Sequence, residues 1–303
     1  MSRDAADRTL RPFPLVPRFA LEGTVAGTHR AIRRGRGYEP VSARPYRRGD
    51  PTRLIDWAAS ARLSAARGSD EFIIRENRAE ETPRVVVVED RRPAMALQRP
   101  PLPWLHKPAV VEAAAETIRV SVRQVRGALA RVADADAGAL AWEAPSPGRR
   151  APAGPYDAPD DFVARAFALL LRRRRDLPSG TFVFVLSDFL APPPDRVWIE
   201  ALARRWDVVP VVIQDPVWES SFPPVAGVVV PVQDPRSGEV RGVRMRSGEV
   251  RRRAEENAAR QAALLHGLRS LTLDPVLLET DDAERIAAAF TAWAAARVAR
   301  RRR

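Results

Sequence analysis

The sequence predicts an α/β fold: a doubly wound, mostly parallel sheet with an N-terminal motif segment and a small β-hairpin insertion. Three apolar runs rich in β-branched or aromatic residues each lead into a carboxylate, and they cover residues 84–90, 181–188 and 208–215. An unbroken apolar run of this length is typical of a strand buried on both faces. Helical segments separate the runs, and this alternation indicates parallel strands joined by crossover helices.

The residues before the first run predict a flexible lead-in followed by a separate segment. Residues 1–17 are rich in Pro and Arg and show no apolar periodicity, which is typical of a flexible terminus. Within residues 18–83, apolar residues at near-helical spacing predict a helix over 19–32. A β-branched run predicts a strand over 71–76.

The predicted core occupies residues 84–215. Between its three strands, the sequence predicts a helix from 109 to 132, a weak strand over 139–142, and helices over 160–175 and 198–206. Asp160 or Asp161 is expected to cap the helix that runs to residue 175.

Residues 216–248 interrupt this alternation of strands and helices. Two short Val-rich pieces flank the sequence Asp-Pro-Arg-Ser-Gly at 234–238, which predicts a β-hairpin with a turn. Residues 249–298 predict a helix, a short strand over 271–278 and a final helix capped by Asp281 or Asp282, completing the sheet. Residues 299–303 form an Arg-rich tail.

Composition limits the possible functions. The chain has no Cys, which excludes disulfides, thiolate nucleophiles and zinc–thiolate sites. It has no apolar run near the ~20 residues of a membrane helix and no secretory signal, so we expect a cytoplasmic protein. The net charge of +12 makes an Arg-rich nucleic-acid-binding protein one alternative. However, the densest Arg clusters end predicted helices, where cations are favoured locally.

Residues 43–62, ARPYRRGDPTRLIDWAASAR, combine Arg and Asp with aromatic residues. Guanidinium groups pair bidentately with carboxylates and stack on aromatic rings. The run therefore predicts either a network that fixes this segment or a surface that contacts a ligand, with Trp57 anchoring the segment to the α/β domain. The candidate binding residues are Arg47, Arg48, Asp50, Arg53, Asp56, Trp57 and Arg62.

Three carboxylates follow the predicted strands: Asp90, Asp188 and Asp215. Ligands of open α/β sheets bind at the carboxyl ends of the strands, so these side chains could converge there. Converging carboxylates could hold a divalent cation, and a metal-dependent phosphoryl-transfer or nuclease-like enzyme is a second alternative. For Asp215, capping of the following turn is favoured over ligand binding.

The run over 44–62 resembles the signature of domain-of-unknown-function family 58, and the resemblance continues through residues 85–90, 184–189, 214–219 and 234–239. Members of that family carry a von Willebrand factor A-like domain and are typically encoded beside MoxR-type AAA+ ATPases. The resemblance implies a Rossmann-like fold. It also implies a non-enzymatic adaptor that acts with such an ATPase on an unknown client during protein complex maturation.

One motif departs from that pattern. Von Willebrand A-like domains place Asp-x-Ser-x-Ser after the first strand to bind a divalent metal. Here Asp90 remains, but Arg92 and Ala94 occupy the two Ser positions, while Asp188 matches the later carboxylate. We therefore expect no metal and no cofactor, with Asp90 and Asp188 as vestigial positions and Arg92 paired with one of them. The chain has no P-loop and no G-x-S-x-G elbow, so we predict no catalytic residue and no enzymatic activity.

Overall fold

The computed structural model describes residues 11–18, 40–46, 52, 55–68, 71–77, 83–98, 104–146 and 154–301. The chain divides into two compact units, a larger one of residues 1–18 and 83–303 and a smaller one of residues 19–82. The smaller unit is thus an insertion in the sequence of the larger one. The predicted helix over 19–32 lies outside the described residues.

The smaller unit contains a two-stranded sheet and a helix. Strands β1 (Pro40–Pro45) and β2 (Ile73–Asn77) pair in antiparallel fashion, and helix α1 (Trp57–Arg67) lies between them in sequence. Asp56 precedes the helix and Gly68 ends it in a left-handed conformation, which is typical of helix termini. The strand predicted near residue 71 is confirmed.

The larger unit is built on a six-stranded sheet in the order β10-β7-β6-β3-β4-β5, in which every pairing is parallel except that of β5. The strands are β3 (Arg84–Glu89), β4 (Ala128–Val132), β5 (Trp142–Glu143), β6 (Phe182–Ser187), β7 (Asp207–Ile213) and β10 (Val276–Leu278). Strands β8 (Val229–Gln233) and β9 (Val240–Arg244) form the predicted separate hairpin.

Helices cover both faces of this sheet. They are α2 (Lys107–Gln124), α3 (Phe162–Arg172), α4 (Asp195–Ala203), α5 (Ser247–Ser270) and α6 (Ala283–Arg301). Val85 and Val87 of β3 share a core with α2 and α6, whereas Val86 and Val88 share the opposite core with α3, α4 and α5. The predicted doubly wound α/β fold is confirmed. No helix in the described ranges has the length and apolar character needed to cross a bilayer.

The prediction of one helix from 109 to 132 is wrong, because the chain turns after α2 and enters β4. Arg126 adopts a positive φ of 52°, and the Ala128 N–H then donates to the Pro83 carbonyl at 2.8 Å. The apolar residues of this stretch fit a helical or a strand pattern. Pairing with β3, a contact distant in sequence, selects the strand.

The prediction of a flexible lead-in over residues 1–17 is wrong for its described part, residues 11–17. Phe13 is 1% exposed, and its ring stacks on that of Phe290 at 4.8 Å between centroids. Leu15 is also buried, and the Val16 carbonyl accepts a hydrogen bond from Arg297. Apolar side chains interspersed with Pro give no helical periodicity, yet they fill the core between α2 and α6.

The predicted Arg-rich tail is helical up to residue 301. Helix α6 continues through Arg301, and Arg300 forms an ion pair with Asp274. Basic side chains in the last turn are favoured by the helix macrodipole, so their charge does not end the helix.

Candidate functional site

The chain reverses its strand order at β3. Strand β4 lies on one side of β3, and β6 lies on the other. The carboxyl ends of β3 and β6 therefore form a topological switch point, where open α/β sheets bind ligands. Asp90 follows β3, Asp188 follows β6, and the Asp90 N–H donates to the Leu186 carbonyl at 3.0 Å.

Arg92 bridges the two carboxylates. Its Nε lies 2.9 Å and 3.0 Å from the two Asp90 oxygens, and its Nη2 lies 2.6 Å from Asp90 Oδ2. The same Nη2 lies 2.7 Å from Asp188 Oδ1. Ser187 adds a donor, since its Oγ lies 2.7 Å from Asp90 Oδ2. All four side chains are buried. The expected pairing with Asp90 or Asp188 is therefore observed with both.

Lys107 continues this network on the other side of Asp188. Its Nζ lies 3.1 Å from Asp188 Oδ2 and 2.5 Å from Glu219 Oε1. Glu219 Oε2 accepts a hydrogen bond from the Asp215 N–H at 2.8 Å. Sequence reasoning missed Lys107 and Glu219 as site residues. The available signal was that Lys107 is the only Lys in the chain, because a compact ammonium suits a position between two carboxylates.

The network fixes the charges of its members. Burial favours a higher pKa for Asp188, but the charges of Lys107 and Arg92 outweigh it and lower that pKa. Burial likewise favours a lower pKa for Lys107, and the carboxylates of Asp188 and Glu219 raise it instead. For Glu219, burial dominates the opposing charge of Lys107, and its pKa is raised. Asp188 and Lys107 are therefore charged at neutral pH.

Asp215 caps the backbone, as favoured from the sequence. Its Oδ1 accepts hydrogen bonds from the N–H groups of Val217 and Trp218, at 2.8 Å and 2.9 Å. Its Oδ2 accepts one from the Leu105 N–H. Both carboxylate oxygens are engaged by main-chain donors, so Asp215 holds the loop that carries Glu219.

These residues do not fit a divalent cation. Arg92 places its guanidinium between Asp90 and Asp188, which are the oxygen donors that a cation would need. Ala94 lies in the 3-10 turn Pro93–Ala96 and has no side-chain oxygen. Within the described parts of the chain, no group of three or more His, Cys, Asp or Glu side chains is arranged to hold a metal ion.

The candidate binding residues of the smaller unit are only partly described. Arg47, Arg48, Asp50 and Arg53 lie outside the described residues. The other candidates have local roles: Asp56 Oδ1 accepts a hydrogen bond from the Ala59 N–H at 3.0 Å, and Arg62 Nε donates to the Ala58 carbonyl at 3.2 Å.

Trp57 is exposed, and its expected role in anchoring the segment to the α/β domain stays a prediction. Its side chain is 63% exposed, and its ring packs edge to face against Phe72 at 5.9 Å between centroids. Phe72 is itself 43% exposed. Trp57 is the first residue of α1, and the cap at Asp56 fixes that helix end without requiring the indole to be buried. The two rings form an exposed aromatic patch, defined by Trp57 and Phe72.

The model of the family described as "Protein of unknown function DUF58" matches residues 42–264. The chain belongs to the DUF58 family. The match includes both the aromatic patch and the switch-point network of this DUF58 protein. No curated protein and no solved structure gives a significant match.

Proposed function

We propose that this DUF58 protein is a cytoplasmic, non-enzymatic adaptor that works with a MoxR-type AAA+ ATPase in the maturation of a protein complex. The observation that carries the proposal is the position of Arg92 between Asp90 and Asp188, at the point of the sheet where ligands bind. Carboxylates held in buried ion pairs are poor candidates for metal ligands or general bases. Asp90, Arg92 and Ala94 match a degenerate metal-ion-dependent adhesion site, and their arrangement supports a structural role for it.

The exposed aromatic patch supports a contact surface for the partner. Trp57, in the run that resembles the family signature, packs against Phe72 of the same smaller unit, and both side chains remain substantially exposed. Aromatic and Arg side chains are enriched at the centres of protein interfaces, where a few of them supply most of the binding free energy. The choice of a MoxR-type ATPase as the partner rests on the family resemblance.

Co-purification tests the partner. We expect the full chain to retain its cognate MoxR-type ATPase on a resin, with an amount that depends on whether ATP or ADP is present. Trp57→Ala should weaken that binding by about tenfold or more, because hot-spot residues of interfaces, among which Trp is enriched, cost about 2 kcal/mol or more when truncated to Ala. The melting temperature should stay close to that of the wild type, since the indole is exposed.

A matched control is Ile199→Ala, which removes an exposed apolar side chain from α4 of the larger unit. This variant should bind the ATPase as the wild type does. If the wild type neither retains the ATPase nor changes its rate of ATP hydrolysis, the adaptor proposal fails. An equal loss of ATPase binding in Trp57→Ala and Ile199→Ala would contradict a contact at the aromatic patch.

Calorimetry with Mg²⁺ and Mn²⁺ tests the degenerate site separately. We expect no stoichiometric binding, because the guanidinium of Arg92 competes with a cation for the same oxygens. Tight binding that is abolished by Asp90→Ala would contradict this. It would favour the alternative of a metal-dependent phosphoryl-transfer or nuclease-like enzyme, whose turnover Asp188→Asn should then remove.

A further inference from the structure

A pocket of about 960 Å³ lies in the larger unit at the amino-terminal edge of the sheet, opposite the switch point. The start of β10, the turn after α5 and the last turns of α6 form its walls, together with Pro17 of the N-terminal segment. Trp293 and alanines of α6 supply an apolar side. The volume is at the upper end of the range of about 300–1,000 Å³ that small-molecule sites occupy.

Positive charge dominates the lining of this pocket. Asp274 is its one lining carboxylate among the described residues, and it is shared by Arg297 and Arg300. Asp207 lies behind the lining and pairs with Arg297 at 2.9 Å. The lining arginines are Arg18, Arg269, Arg297, Arg300 and Arg301. Among the described lining residues, five arginines thus stand beside one carboxylate.

Arg297 is the buried centre of this cluster. It is 4% exposed, and its guanidinium lies 4.3 Å from the centroid of the Trp293 ring. Its Nη1 and Nε are engaged by Val16, Asp207 and Asp274, but its Nη2 is buried without a hydrogen-bond partner in the described part of the chain. A buried donor without a partner is costly and rare in folded proteins, so this atom calls for an acceptor.

The pKa of the neighbouring Arg18 is affected by the other arginines of the pocket. Burial lowers its pKa, and although Asp274 and Asp207 oppose this, the charges of Arg297 and Arg300 add to the lowering. An anion in the pocket would relieve this repulsion.

We propose that the pocket binds the phosphate groups of a di- or triphosphate, from inorganic pyrophosphate or from a nucleotide. Guanidinium groups match phosphate oxygens bidentately, and several arginines converging on one pocket suit a multiply charged phosphate. Arg269, Arg300 and Arg301 also lie in the last turns of α5 and α6, where the macrodipole favours cations. That effect does not account for the buried guanidinium of Arg297.

Isothermal titration calorimetry of the full chain with pyrophosphate, and separately with ATP, tests the site. We expect one equivalent to bind. Arg269→Ala should weaken the affinity about tenfold, because a hydrogen bond to a charged group contributes roughly 1.5–3 kcal/mol. Arg269 is exposed, and its side chain has no partner among the described residues, so the fold should not depend on it.

Arg172→Ala is the matched control, since Arg172 is an exposed Arg in the last turn of α3, outside the pocket. It should leave the affinity unchanged. Equal weakening in both variants would indicate general attraction to the net positive charge and would overturn the proposal, as would no binding of either ligand at millimolar concentration. Equal affinity for both ligands supports a site for phosphate groups alone, and tighter binding of ATP supports an added contact with the nucleoside.

Discussion

At the scale of single residues, Arg92 has the largest predicted effect on stability. Replacing it with Met leaves Asp90 and Asp188 buried without the guanidinium that bridges them. Removing one partner of a buried ion pair typically costs about 3–5 kcal/mol. We therefore expect Arg92→Met to lower the free energy of unfolding by about that amount, measured by urea denaturation. Arg241→Met, which removes an exposed pair with Glu239, should change it little. An equally small effect at Arg92 would contradict the burial of this network.

The lowered pKa of Asp188 predicts how stability depends on pH. A carboxylate with a lowered pKa in the folded state stabilises the fold above its unfolded pKa of about 3.9, and this contribution is lost as pH falls through the folded value. The difference in melting temperature between the wild type and Asp188→Asn should therefore be largest at neutral pH and should narrow below about pH 4. Glu219, whose pKa is raised by burial and also by the charge of Asp188, contributes to this difference too, because Asp188→Asn removes that charge. Calorimetry measures the two melting temperatures. If their difference stays constant from neutral to acidic pH, this result would contradict an ionised Asp188.

The sequence predicted one half of the site and missed the other for a physical reason. Asp90 and Asp188 end strands, and the order of parallel strands alone brings such residues to one edge. Lys107 and Glu219 are separated by 112 residues, and their contact depends on how the start of α2 and the loop after β7 fold. No local pattern encodes such a contact.

At the scale of elements, Gly127 determines where α2 gives way to β4. A Cβ at this position would lie 2.8 Å from the Pro83 carbonyl oxygen and 2.8 Å from Val122 Cγ1. Because the backbone of Pro83 cannot move aside cheaply, we expect Gly127→Ala to destabilise the protein by about 1–3 kcal/mol. Gly267→Ala, in α5 with nothing within 4 Å, should instead stabilise it by about 0.5–1 kcal/mol. Urea denaturation measures the change in the free energy of unfolding for both variants. If Gly127→Ala stabilised the protein, this would contradict the close approach of Gly127 to the Pro83 carbonyl.

Elements buried on both faces were the most predictable from the sequence. Four consecutive Val residues in β3 are typical of a strand that is buried on both faces, and the structure confirms this prediction. The sequence does not predict the burial of the segment around Phe13, because that burial depends on rings distant in sequence, such as that of Phe290. Local periodicity indicates regular elements, and it does not detect an irregular segment that fills a core.

At the scale of the whole molecule, the smaller unit is inserted between two nearby points of the larger one. The Arg18 N–H donates to Asp207 Oδ2 at 2.6 Å, at the start of β7. Asp207 is in register with Phe182 of β6, which is in register with Val85 of β3, just after Pro83. Two strand spacings amount to about 10 Å, so the chain leaves and re-enters the larger unit at the same edge of the sheet.

This geometry predicts that the larger unit folds without the insertion. Replacing residues 19–82 with a Gly/Ser linker of about five residues, which reaches at most about 17 Å, should span the two joins. Among the described residues, the six-stranded sheet and both of its cores draw only on the larger unit, so we expect cooperative thermal unfolding followed by circular dichroism. The same variant lacks the aromatic patch and should not retain the ATPase. A non-cooperative transition would show that the insertion contributes to the core, whereas retained ATPase binding would move the contact surface to the larger unit.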